Sequence, residues 1–170
     1  MWRGTVAIAA IRRGDRLALR VWDSASPLRA SFQGAETWPW DPRWRITARW
    51  EPYATPRTVQ QPTAIGTVEP VALPGRAVFE VDGKAYALTP TAEGDDLFFV
   101  FKDRTSPKES YGAGRFLVAA APKDGRVVLD FNRAYNPPCA FTAFATCPLP
   151  LPENVLPVRI EAGERKWGDH

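Results

Sequence analysis

At 170 residues the chain is the size of one ordinary domain, long enough to bury a core without help from disulfides or metals. Hydrophobic residues make up 45% and charged residues 24%, which excludes a disordered chain, and 22 basic against 19 acidic residues leave a formal charge of +3. That excess is too small for the dense basic footprint of a dedicated nucleic-acid binder, so nucleic acid is not an expected partner.

The 17 prolines and 12 glycines lie mostly between apolar runs, a distribution that favours short strands and turns over helices. Residues 5–11 are apolar but too few to span a bilayer, and no signal-peptide cleavage pattern follows. A cytoplasmic location without membrane association is therefore expected.

In chain order, the first predicted hairpin pairs residues 5–12 with 16–23 around Arg13-Gly14-Asp15, where Gly14 can take a positive φ. Arg-Gly-Asp also spells a cell-adhesion signal, but without a secretion signal the turn reading is preferred. Between Pro42 and Pro52 strict alternation places Trp44, Ile46, Ala48 and Trp50 on a core face and Arg43, Arg45, Thr47 and Arg49 on a solvent face. Asp82-Gly83 predicts a hairpin joining residues 76–81 to 84–89, and Asp124-Gly125 a second one joining 115–121 to 126–131. The unbroken apolar run 97–101 predicts a strand buried on both faces. Residues 136–152, rich in proline, predict a long packed loop. Residues 155–161 read as a closing strand and 162–170 as a polar C-terminal tail. No linker divides the chain, so one β domain over 1–170 is expected.

Two blocks carry a resemblance: FKDRTSPKESYGAGR at 101–115 and LDFNRAYNPPCAFTAFATCPLPLPENVLPVRIEAGE at 129–164. Together they resemble the signature of a bacterial family catalogued as domain of unknown function 1684. The likeness extends upstream through the arginine-rich strand at 42–52 and the hairpin near Asp15. Members commonly carry an additional N-terminal segment, so this chain is expected to begin near the first strand of the shared region. The resemblance implies a β-rich fold and no assigned activity.

The densest polar cluster, Asp130, Asn132, Arg133, Tyr135 and Asn136, stands where a predicted strand enters the proline-rich loop, and Arg115 begins its expected partner strand. Strand ends commonly display binding groups, and these donors suit a carboxylate or phosphate. The competing structural reading pairs Asp130 with an arginine and uses Asn132 and Asn136 to satisfy backbone groups that the prolines leave open.

Cys139 and Cys147 read first as small buried hydrophobes and second as a disulfide. His170, the only histidine, ends the chain, so neither a Cys-His nucleophile nor a structural zinc is expected, and no cofactor is indicated. Asp103, Asp130, Glu153, Glu161 and Glu164 keep a carboxylate or metal-dependent hydrolase open as an alternative. The stretch around Gly112 and Gly114 lacks the Gly-Lys-Ser/Thr ending of a phosphate loop. Six of the seven tryptophans lie in the first fifty residues among arginines, which keeps an interaction module as a second alternative. The expectation is thus an all-β antiparallel sandwich or partly closed barrel, with the proline-rich loop across one end. Its expected role is binding a small anionic ligand through Arg115, Asp130, Asn132, Arg133, Tyr135 and Asn136, with the oligomeric state left open.

Overall fold

A computed structural model of the chain describes residues 2–13 and 16–168. The fold is all-β with antiparallel sheets and a single short α-helix among the described residues. Where one domain over 1–170 is the sequence expectation, the chain forms two compact units, Met1–Gly34 and Ala35–His170. No helix among the described residues is long and apolar enough to cross a membrane.

In the first unit β1 (Trp2–Arg3), β2 (Val6–Arg13) and β3 (Arg16–Asp23) pair in that order, followed by the helix α1 (Pro27–Ser31). The register of β2 and β3 runs from Val6 opposite Asp23 to Arg13 opposite Arg16, as the predicted hairpin requires. Its turn at Gly14 and Asp15 lies outside the described residues, as does His170. Pro27 opens α1, a position where its missing N–H leaves no bond unmade.

The second unit contains β4 (Arg45–Pro62), β5 (Val68–Val81), β6 (Lys84–Leu88), β7 (Thr91–Glu93), β8 (Asp96–Phe101), β9 (Arg115–Ala120) and β10 (Arg126–Asp130). These build two sheets, β10-β4-β5-β6 and β7-β8-β9, whose apolar faces share one core. Phe131 sits in that core with its ring edge-on to Trp44 and Phe101, at 6.3 and 5.5 Å between centroids, and tilted against Phe79 at 5.6 Å. Burying aromatic surface of this kind is the main source of folding free energy in such a sandwich.

Alternation along β4 is as its sequence dictates. Trp44 and Ala48 are buried, Ile46 and Trp50 half-buried, and Arg43, Arg45, Thr47 and Arg49 exposed. In β8, the central strand of its sheet, Leu97, Phe99, Val100 and Phe101 are all buried. Asp82 and Gly83 take φ of 50° and 74°, the two left-handed positions that a tight two-residue hairpin turn needs.

Four expectations give way. First, β4 does not stop at Pro52 but continues to Pro62, and β5 starts at Val68 rather than Arg76, with a register shift between Pro52 and Arg57. Prolines are tolerated here because β6 pairs only with the 77–81 part of β5 and β10 only with the 45–49 part of β4, so the remaining ribbon has open edges. At the shift the strands close up on Gly75, where a Cβ would come within 2.5 Å of the Glu51 carbonyl oxygen. Second, the strands flanking Asp124-Gly125 do not pair with each other: β9 pairs with β8 and β10 with β4. Pro122 cannot donate to a ladder, so the chain leaves one sheet and enters the other across this turn.

Third, residues 155–161 form no strand beyond one bridge, Lys102 to Val155, since Pro157 interrupts any ladder. Fourth, residues 162–168 are not a solvated tail. Ala162 is fully buried, and Glu164 pairs with Thr37. Gly163, at φ 76°, packs so closely that a Cβ would collide with the Ala134 carbonyl oxygen.

Candidate functional site

Arg115 enters β9 straight from the loop that follows β8, and its side chain is 1% exposed. Its guanidinium faces irregular chain rather than a strand. One terminal nitrogen donates to the carbonyls of Ala162 and, at 3.3 Å, Glu164; the other donates to Ile160 O at 2.9 Å and Asp103 Oδ1 at 3.3 Å. Trp38 and Phe101 cover its planar faces at 5.2 and 5.3 Å. Burial pulls the Arg115 pKa down and the Asp103 charge opposes that pull.

Asp103 is equally buried and fully engaged. Its Oδ1 accepts from Thr105 Oγ1 at 2.8 Å and its Oδ2 from the Ile160 amide at 2.7 Å, while Thr105 Oγ1 in turn contacts Ser110 Oγ at 2.7 Å. The pair is a charged strut that fixes residues 160–164, a segment with no ladder of its own.

Two asparagines act by a shared device. Asn132 accepts from the Asp41 amide at 3.1 Å and donates to the Asp41 carbonyl at 2.9 Å, so its carboxamide stands in for a strand rung; it also donates to Asp130 at 3.1 Å. Asn154 does the same for both backbone groups of Thr89, at 2.8 Å each, and donates to Val100 O at 3.0 Å. Asn136 donates through its side chain to Arg165 O at 2.8 Å and through its backbone to Glu164 Oε2 at 2.7 Å.

The six predicted residues are thus divided. Phe116 and Tyr135 exchange both backbone hydrogen bonds, at 2.8 and 2.9 Å, which sets Arg115 and Asn136 on adjacent rungs. Arg115 Nε and Asn136 Oδ1 are the buried side-chain polar atoms left without a partner among the described residues, one a donor and the other an acceptor. Asp130 and Asn132 lie together, half-buried, beside Asp41. Arg133 is exposed and makes no hydrogen bond or ion pair among the described residues. Tyr135 is half-buried, with its pKa raised by burial and by the charges of Glu93 and Glu164.

Nothing in the sequence around Asn154, Trp38 and Tyr111 marks them as site residues. Tyr111 donates its hydroxyl to Cys139 O at 3.0 Å, and burial together with the cysteines pushes its pKa up to about 12. For two of them the signal is positional, since Tyr111 falls in the first resemblance block and Asn154 in the second, whereas Trp38 falls in neither. A cleft of about 610 Å³ is lined wholly by residues of the first unit, including Ala7, Ala9, Trp22 and Arg29, and by none of the six. No three of the described cysteines, aspartates and glutamates gather into a set able to hold a metal ion.

No curated protein matches the chain. Among solved structures, the chain is similar to the uncharacterized protein from gene locus rrnAC0354 of Haloarcula marismortui, determined by solution NMR. The two are 30% identical with a TM-score of 0.66, over 81% of this chain and 78% of that one. That neighbour comes from an archaeon, so the likeness is not confined to bacteria. The family described as protein of unknown function (DUF1684) matches residues 30–165, which leaves the hairpin near Asp15 outside the match. On that match, spanning nearly all of the second unit, the chain belongs to the DUF1684 family.

Proposed function

We propose that the second unit is a binding domain for a small anionic ligand, presented where β10 gives way to the proline-rich run. The observation that carries the reading is Arg133: within the predicted cluster it is the cation left exposed and unpaired, while Arg115 is spent inside. An exposed guanidinium on a fixed backbone can meet a carboxylate or phosphate with two parallel hydrogen bonds. Fixation is supplied by Asn132, Asn136 and Arg115, which tie the surrounding chain to residues 41 and 160–165. Buried polar groups spent on holding loops are what a preorganised recognition surface requires.

A thermal-shift screen of the full chain against phosphate, sulfate and small mono- and dicarboxylates tests the reading, because a ligand selective for the native state raises its stability. At least one anion is expected to raise Tm, and Arg133→Ala to abolish the rise with the apo Tm unchanged. A rise that survives Arg133→Ala, or no rise with any anion, overturns the proposal.

A further inference from the structure

The proline-rich run also holds two cysteines that the proposed anion site does not use. Cys139 lies in a 3-10 turn, Pro138–Ala140, and Cys147 immediately precedes Pro148. Both are free thiols. The Cys139 amide donates to Cys147 Sγ at 3.2 Å. Cys147, 5% exposed, is packed in a small apolar cluster with Val100 and Phe116, and Cys139 lies half-buried against that cluster.

Each cysteine backbone is anchored apart from the segment between them. Tyr111 holds the Cys139 carbonyl, and the Ala64 amide holds the Cys147 carbonyl at 2.8 Å. A disulfide needs an S–S bond of about 2.0 Å and Cα atoms about 4.4–6.8 Å apart. A sulfur 3.2 Å from its partner's own backbone nitrogen shows that the two residues are direct neighbours, close to the separation that a disulfide needs.

We propose that Cys139 and Cys147 form a reversible redox pair that exchanges with low-molecular-weight disulfides. The roles are unequal. Burial pushes the Cys147 thiol up to about 12, so it is a poor first nucleophile, whereas Cys139 is only half-buried and is the more accessible of the two. Cys139 gives its proton to solvent and its thiolate attacks one sulfur of the external disulfide; that S–S bond breaks, and one external thiolate leaves and takes up a proton. Cys147 then loses its proton and attacks the Cys139 sulfur of the mixed disulfide, expelling the second external thiolate, which is protonated in turn. Two protein thiols and one external disulfide become one internal disulfide and two external thiols. The product covalently closes residues 140–146, which carry the 93% exposed Phe144.

The test incubates the folded full chain with oxidised glutathione, blocks residual thiols, and maps the unreduced digest by mass. A Cys139–Cys147 link short of two hydrogens is expected, with the glutathione adduct below about a tenth of it, because a tethered thiol acts at an effective concentration of millimolar order or above. Cys147→Ser and Cys147→Ala, the second keeping the apolar packing, are expected to trap glutathione on Cys139, and Cys139→Ser to leave Cys147 unreacted while the chain is folded. A lasting glutathione adduct on the unsubstituted chain, a link between two chains, or thiols that react only after unfolding would each overturn the proposal.

Discussion

Arg115 and Asp103 meet 3.3 Å apart with their side chains 1% and 0% exposed, whereas Glu51 meets Arg49 and Arg76 on the outer face of β4 and β5, with half or more of each arginine side chain exposed. The groups are alike and their consequences are not. Outside, water and salt screen the attraction, and either partner can be hydrated again if the other is lost. Inside, the guanidinium is surrounded by Ile160, Ala162 and Glu164 carbonyls and two aromatic rings, so removing Asp103 leaves a buried cation without its paired carboxylate and with only the Glu164 charge nearby. Depth, more than pairing, decides what an ion pair does in this domain.

The largest effect should come from Asp103→Ala, which is expected to destabilise the domain by about 3–5 kcal/mol in urea unfolding, as for other buried pairs broken from one side. A loss under about 1 kcal/mol would erase the distinction between the two pairs. Asn154→Ala comes next. It leaves the Thr89 amide, the Thr89 carbonyl and the Val100 carbonyl with one bond fewer each, an expected loss of about 2–4 kcal/mol accompanied by faster hydrogen exchange at Thr89. Unchanged exchange there would show that buried neutral anchors matter less than the charged one.

Glu51→Gln should be the smallest. Arg76 first, and then Arg49, hold the Glu51 carboxyl below the ordinary glutamate range. A carboxylate with a depressed folded pKa contributes stability that is present above its unfolded value of about 4.3 and is lost as pH falls through the folded one. The stability difference between the unsubstituted chain and the Glu51→Gln variant should therefore fade on acidification below that value, and at neutral pH it should fade with added salt. A difference that persists at high salt would place this pair with the buried one.

The parts of the fold that could be read in advance are those with a short period or a turn of fixed chemistry, such as the alternation from Trp44 to Trp50 and the Asp82-Gly83 hairpin. Both are local, and no distant partner can change what they require. The long ribbon of β4 and β5 was hidden by Pro52, Pro56, Pro70 and Pro74, which read as strand ends because sequence does not tell an open edge from a closed one. At the candidate site, the backbone-satisfying role of Asn132 and Asn136 follows from the prolines around them. The depth of Arg115 does not, because its carbonyl partners lie 45–49 residues away and outside any ladder. Asn154 stands alone between Glu153 and Val155 with no pattern to mark it. The two resemblance blocks turn out to bind each other, Tyr111 to Cys139 and Arg115 to residues 160–164, so much of what looks like a signature is internal scaffolding.

The strut at Arg115 also orders events during synthesis. When β9 leaves the ribosome, Asp103 is already made but the carbonyls that will receive the Arg115 guanidinium are not, and burial with the carboxylate alone would leave most of the guanidinium donors unsatisfied. That side of the sandwich stays wet and unsealed until residues 160–164 arrive, which makes a stretch without any ladder of its own the latch on which closure of the β8 and β9 layer waits.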